Sequence, residues 1–270
     1  MAKKQKVAKR ASVRKQKAAT AAPIQVAENI ADVRRLLKVL RNTGEPIEVR
    51  MAALQALGAA AFSVPGFDSV RPDYIAALRE VSTDAHEQLR RRALGILMRN
   101  KDGFAQKKLL DGLKNPAKAL VPPEKALQLL GNDVHAGAYS AARAIVKKPP
   151  NDEAKSEALR LLAADAKSAP LFQKVMRDKK ELRENRQIAA SALHALNPDK
   201  LQQSARKILL DKSDFADIKA TSLTALDQFG DDTAIGKDKA LLQSVNRFKT
   251  GKTPAKYKQT ARRFLSKYER

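Results

Sequence analysis

Six segments of this chain repeat one pattern, an Ala-Leu run set among polar residues: VRMAALQALGA, LRRRALGILMR, PEKALQLLGND, KSEALRLLAAD, NRQIAASALHAL and IKATSLTALDQF. Taking Leu57, Leu97, Leu130, Leu162, Leu193 and Leu226 as equivalent, the spacings are 40, 33, 32, 31 and 33 residues. That period is the one of helical-hairpin solenoids, whose units cannot bury an apolar face alone and stack on their neighbours. A second amphipathic stretch precedes each segment, from AENIADVRRLLKVLRN before the first to DKLQQSARKILLDK before the last, so each unit holds two helices. Pro46, Pro72, Pro122, Pro123, Pro150, Pro170 and Pro198 fall where a helix would start, the position at which the missing N–H costs nothing. Aromatic residues are 4% of the chain and Trp is absent, which favours helices over strands and an all-α class.

The pattern resembles HEAT repeats and the HEAT-like repeats of the PBS-lyase type, most closely in IAALREVSTDAHEQLRRRALGIL at 75–97. There a first helix ends in a small polar turn with Asp84, and the second opens with a hydrophobic residue, an Arg and an Ala-Leu run. The resemblance covers roughly residues 24–230 and implies a right-handed α-solenoid of about six helical hairpins. Pro123 departs from it, standing where the family's Arg would sit, and the helix it opens looks short. On function the resemblance is nearly silent, because such repeats serve scaffolds, transport receptors and nucleic-acid binders alike. The expected organisation is a disordered basic arm at 1–22, a HEAT-like solenoid at 23–246 and a basic amphipathic helix at 247–270 that caps it.

The formal net charge of +24 is unevenly spread. The arm carries Lys3, Lys4, Lys6, Lys9, Arg10, Arg14, Lys15 and Lys17 with no acid, and lacks hydrophobic periodicity. Such polycationic arms condense on polyanions by counterion release, although a targeting signal or a solubility role would read the same way. In PAKYKQTARRFLSKYER an apolar stripe through Tyr257, Ala261, Phe264, Leu265 and Tyr268 leaves Arg262, Arg263 and Lys267 on other faces. A cap is the expected use of that stripe, with base stacking or a membrane-surface helix as alternatives. Between the ends, residues 90–118 hold nine basic side chains against Asp102 and Asp111.

Helical geometry sorts the arginines of QLRRRALGILMRNKDG. Leu89, Ala93, Ile96 and Leu97 form the apolar face, and Arg90 lies on its edge. The equivalent column reads Arg50, Arg90, Pro123, Lys155, Arg186 and Lys219, and by resemblance it reaches the turn of a neighbouring unit, a structural use. Arg91, Arg92 and Arg99 project on the opposite side, around Gly95 and Met98, with no recurrent equivalent. Together with Lys101, Lys107, Lys108, Lys114 and Lys118 they form the candidate phosphate-contacting patch, weighed against an ordinary solvated face.

Catalytic signatures are missing from the residues. His86, His135 and His194 stand in no metal-ligand spacing, no Cys exists to act as a thiolate, and TGKTP at 250–254 lacks the glycine and strand of a phosphate loop. The sequence therefore leads to a non-catalytic nucleic-acid-binding protein, with no cofactor and no metal site, contacting phosphates through arm, patch and C-terminal helix with little base specificity. The alternatives are a protein-interaction scaffold and, with its aromatic base-capture parts lacking, a HEAT-like DNA glycosylase. The column Gln55, Gly95, Gln128, Arg160, Ser191 and Thr224, polar but basic once, suits a protein partner nearly as well as a phosphate backbone. The expected setting is intracellular (cytoplasmic, nucleoid-associated or nuclear), with no transmembrane segment, and the oligomeric state is open.

Overall fold

A computed structural model describes residues 26–132 and 136–268, so the basic arm and its eight candidate cations lie outside the described residues. Among the described residues there are fifteen α-helices, three short 3₁₀ turns and no strand. The chain is all-α, and its helices follow one another two to a repeat, as expected. In chain order they are α1 (Ile30–Arg41) and α2 (Ile47–Ser63), α3 (Arg71–Val81) and α4 (Glu87–Arg99), then α5 (Gly103–Lys114) and α6 (Pro123–Leu130). They continue with α7 (Ala136–Lys147) and α8 (Asp152–Leu162), α9 (Ala169–Arg177) and α10 (Arg183–Leu196), then α11 (Pro198–Leu210) and α12 (Ala216–Phe229). Beyond them α13 (Asp232–Lys237) leads into a further pair, α14 (Lys239–Thr250) and α15 (Ala255–Tyr268), so the terminal basic stretch is carried on two helices. The prolines punctuate as expected: Pro46 and Pro122 occupy N-caps, while Pro123 and Pro198 open their helices.

The chain divides at Ala77 and Leu78, within α3, into two compact units. In the first, α1 packs on α2 and on the 3₁₀ turn Phe67–Val70, burying Val33, Leu36, Leu40, Leu54 and Leu57, with Phe67 and Tyr74 edge to face. In the second, the first helices of each hairpin form one layer, in which α9 packs on α11 and α11 on α14. The second helices form the other, running α4, α6, α8, α10, α12 and α15. One contiguous apolar core extends from Leu127 to Leu265 between those layers.

A ladder of basic side chains ties turn to turn. In the first unit, Arg50 Nε donates to the carbonyl of Leu40 at 3.0 Å. In the second, Arg90 donates to the carbonyls of Asp84 (2.7 Å) and Leu120 (2.9 Å), and Lys155 pairs with Glu181. Arg186 donates from Nε to Met176 O at 2.8 Å and grips Asp214 with both terminal nitrogens at 2.7 Å. Lys219 closes the series, buried and reaching Lys212 O at 3.4 Å; desolvation there lowers its pKa. Pro123 leaves the third hairpin without such a rung. There the α5–α6 connection is looped instead, and it closes on α5 because Gly112 has no side chain: a Cβ would stand 2.9 Å from Ala119 Cα.

A second ladder runs along the first-helix layer. Arg79, Arg143 and Arg206 pair respectively with Asp102, Asp165 and Asp238, each an aspartate that also caps the next hairpin's entry. Asp102 accepts from Ala105 N at 3.0 Å and Asp238 from Leu241 N at 3.1 Å, so one carboxylate both starts a helix and fixes its neighbour. Burial opposes ionisation of Asp102, but the bonds from Arg79 and Ala105 outweigh it and hold the carboxyl below its usual range; the Arg206 bond does the same for Asp238. A carboxylate whose folded pKa is depressed stabilises the fold above its unfolded value of about 3.9, and that contribution is lost as pH falls through the lower folded value. Urea unfolding followed downward from neutral pH is expected to hold a plateau to about pH 4 and then fall. Asp238→Asn should make that fall shallower, and a profile superimposable on the parent's would refute the role.

Candidate basic binding site

α4 buries Leu89, Ala93, Leu94, Leu97 and Met98. This corrects the expectation that Met98 shares the open face with Gly95. Being in the second-helix layer, α4 contacts both α5 and α6, so its buried arc is wider than one apolar stripe. Gln88, Arg92 and Arg99 are exposed and, with the half-buried Gly95, lie at i, i+4, i+7 and i+11, one stripe along the helix, beside the exposed Glu87 and Arg91. A Cβ on Gly95 would lie 3.8 Å from the Arg99 guanidinium, ordinary van der Waals contact, so the glycine sits between the two arginines with Arg99 close over it. Arg92 and Arg99 are exposed, with no ion-pair partner among the described residues, whereas Arg91 is paired with Glu87 at 2.9 Å.

The remaining candidates do not join this stripe. Lys101 is exposed in the following loop at a φ of 55°, the left-handed region. Lys107 and Lys108 are exposed on α5, and Lys108 stands 5.5 Å over the Phe104 ring, which Arg79 of α3 also approaches at 6.0 Å. Their surroundings are those of the first-helix layer. Lys114 ends α5 and Lys118 lies in the 3₁₀ turn Pro116–Lys118, both exposed. On α15, Ala261, Phe264 and Leu265 are buried and the helix packs on α12. Arg263 leans on Asp227 at 3.5 Å and Lys267 on Asp232 at 2.9 Å, leaving Arg262 exposed with no partner among the described residues. The hydrogen bonds from Tyr268 and Lys267 hold Asp232 below the usual carboxylate range.

Farther along the second-helix layer, Gln128, Arg160, Ser191 and Thr224 are exposed as the polar column leads one to expect. Arg160, its one cation, is bound to Glu157 at 2.6 Å and to Glu184 at 2.5 Å. It lines a recess of about 440 Å³ with Gln128, Tyr139 and Glu157. Among the described residues no group of three or more His, Cys, Asp or Glu is placed to hold a metal, and no helix is long and apolar enough to cross a membrane. The second ladder escaped the sequence reading, although its signal is there: Arg near the end of a first helix, and Asp at a later hairpin's entry.

No family model matches the chain, and no curated protein matches it. Among solved structures it is similar to human deoxyhypusine hydroxylase in complex with glycerol, at a TM-score of 0.38 and 16% identity, over 88% of this chain and 96% of that one. That protein is an enzyme by name. The expectation of a non-catalytic nucleic-acid binder, and of a chain that is no enzyme, is corrected on this finding and withdrawn. The HEAT-like fold itself is read from the hairpins.

Proposed function

We propose that this chain is a HEAT-like repeat protein, of the PBS-lyase type, that binds an acidic polypeptide segment along the open stripe of α4, with Arg92 and Arg99 as anchors. The observation that carries this reading is a contrast in pairing. Arg92 and Arg99 hold their charge free of carboxylates among the described residues, while Arg160, Arg183, Arg263 and Lys267 are each tied to one. A nucleic-acid backbone needs cations repeated along the face it follows. Here Arg92 and Arg99 form a local pair on α4, with Arg262 apart on α15, which suits a short acidic segment better than a backbone that must be followed continuously. Seven residues of helix separate the two arginines by about 10.5 Å, and on a polyproline-II segment, with three residues per turn and about 3.1 Å per residue, carboxylates three residues apart share one face at about 9.3 Å. The cysteine-free sequence suits an intracellular setting for such a partner.

Fluorescence anisotropy of the full chain tests it, using a short labelled peptide with two glutamates three residues apart beside a labelled DNA duplex, both across a salt titration. Saturable peptide binding that weakens with salt is expected. Binding of the duplex alone, or duplex binding that depends on Arg92 and Arg99, would overturn the reading.

A further inference from the structure

A cavity of about 330 Å³ opens in the third hairpin, where the basic ladder is interrupted. Its walls are apolar: Leu109 and Leu113 from α5, Val121 from the connection, Ala126 from α6 and Ile145 from α7, with Pro123 at the rung position. Arg90, the preceding rung, donates to Leu120 O, and Leu120 itself lines the cavity. Elsewhere a long basic side chain runs through this part of the hairpin to the turn; Pro123 carries none, and the connection held against Gly112 forms a wall instead of a plug.

The charge at the rim is of one sign. Among the described residues Lys148 is the only charged one lining the cavity; it is exposed and has no ion-pair partner among them. Lys114 and Lys118 adjoin the lining residues Leu113 and Ala119 in the chain, and among the described residues no carboxylate lines the cavity. Ligand sites of this kind are mostly apolar with a few polar groups that fix orientation. The volume is about twice that of a ~150 Å³ apolar cavity that takes up benzene.

We infer that this cavity is a binding site for a free medium-chain fatty carboxylate, the alkyl chain lying among Leu109, Leu113, Val121 and Ile145 and the carboxylate meeting Lys148. The two ends use different physics. Burial of each methylene drives entry, and the ammonium selects an anionic head over a neutral or cationic one. The site stands apart from the α4 stripe, and its occupancy does not depend on a polypeptide partner.

Decanoate below its micellar concentration, titrated calorimetrically into the full chain, tests the inference beside decyltrimethylammonium of the same chain length. Saturable binding of one decanoate is expected, with decyltrimethylammonium at least about tenfold weaker. Lys148→Glu should weaken decanoate by about tenfold or more, and Ala119→Phe, which fills the mouth from an exposed position, should abolish binding while leaving thermal unfolding unchanged. Absence of decanoate binding, equal binding of the cation, or indifference to both substitutions would overturn it.

Discussion

Replacing Arg186 by alanine is expected to remove about 3–5 kcal/mol of folding stability. Its side chain is fully buried, as is that of Asp214 at 2% exposure, and the two are joined by paired bonds of 2.7 Å. Burying both ions is itself costly, so the pair is not a store of net stability; removing one partner leaves the other charged and dry. Arg186 also satisfies the carbonyl of Met176 at the end of α9, so its loss leaves an acceptor unpaired in the same turn. Asp214→Ala should cost a similar amount. The double replacement Arg186→Met with Asp214→Leu should recover most of the loss, because no uncompensated charge remains. Urea unfolding at neutral pH measures all three, and an Arg186→Ala loss below about 1 kcal/mol would show that this rung does not hold the α9–α10 and α11–α12 hairpins together.

The hairpins were legible because a period of about 33 residues is written in the positions of Leu57 to Leu226, and stacking demands that period of every unit. The rung column was legible for the same reason: Arg50, Arg90, Lys155, Arg186 and Lys219 recur at one place in the repeat. The second ladder was harder to see. Its partners are separated by 23 residues in Arg79–Asp102 and 32 in Arg206–Asp238, since they join one hairpin's first helix to a later one's entry across connections of different length.

Charge was the least legible property. Counting cations along the chain treats Arg99, Arg160 and Arg263 alike, yet Arg160 meets Glu184 and Arg263 meets Asp227 across the stacked second helices, and Arg99 meets no acid among the described residues. Only packing decides which cations are neutralised. The run at 90–118 likewise looks like one patch in sequence, but alternate helices enter different layers, which sends Arg92 and Arg99 to one neighbourhood and Lys107 and Lys108 to another.

Reversing Arg92 and Arg99 together to glutamate is expected to weaken the acidic peptide by roughly a hundredfold at low salt, about 1.4 kcal/mol for each exposed attraction turned into a repulsion. Both side chains project into solvent, and glutamate suits a helix about as well as arginine, so the fold should be unaffected. Lys107→Glu with Lys108→Glu makes the same change of net charge in the other layer. Its effect should stay under about twofold, which separates a local site from attraction by the basic chain as a whole.

The most direct measurement pairs the reversed protein with a reversed partner. Anisotropy titrations would set the parent and the Arg92→Glu/Arg99→Glu protein against two labelled peptides of one length, carrying either two glutamates or two lysines three residues apart. An exchange of preference is expected, the parent holding the glutamate peptide and the reversed protein the lysine peptide. A reversed protein that still prefers the glutamate peptide, or a parent that binds neither, would contradict an acidic-segment site on α4.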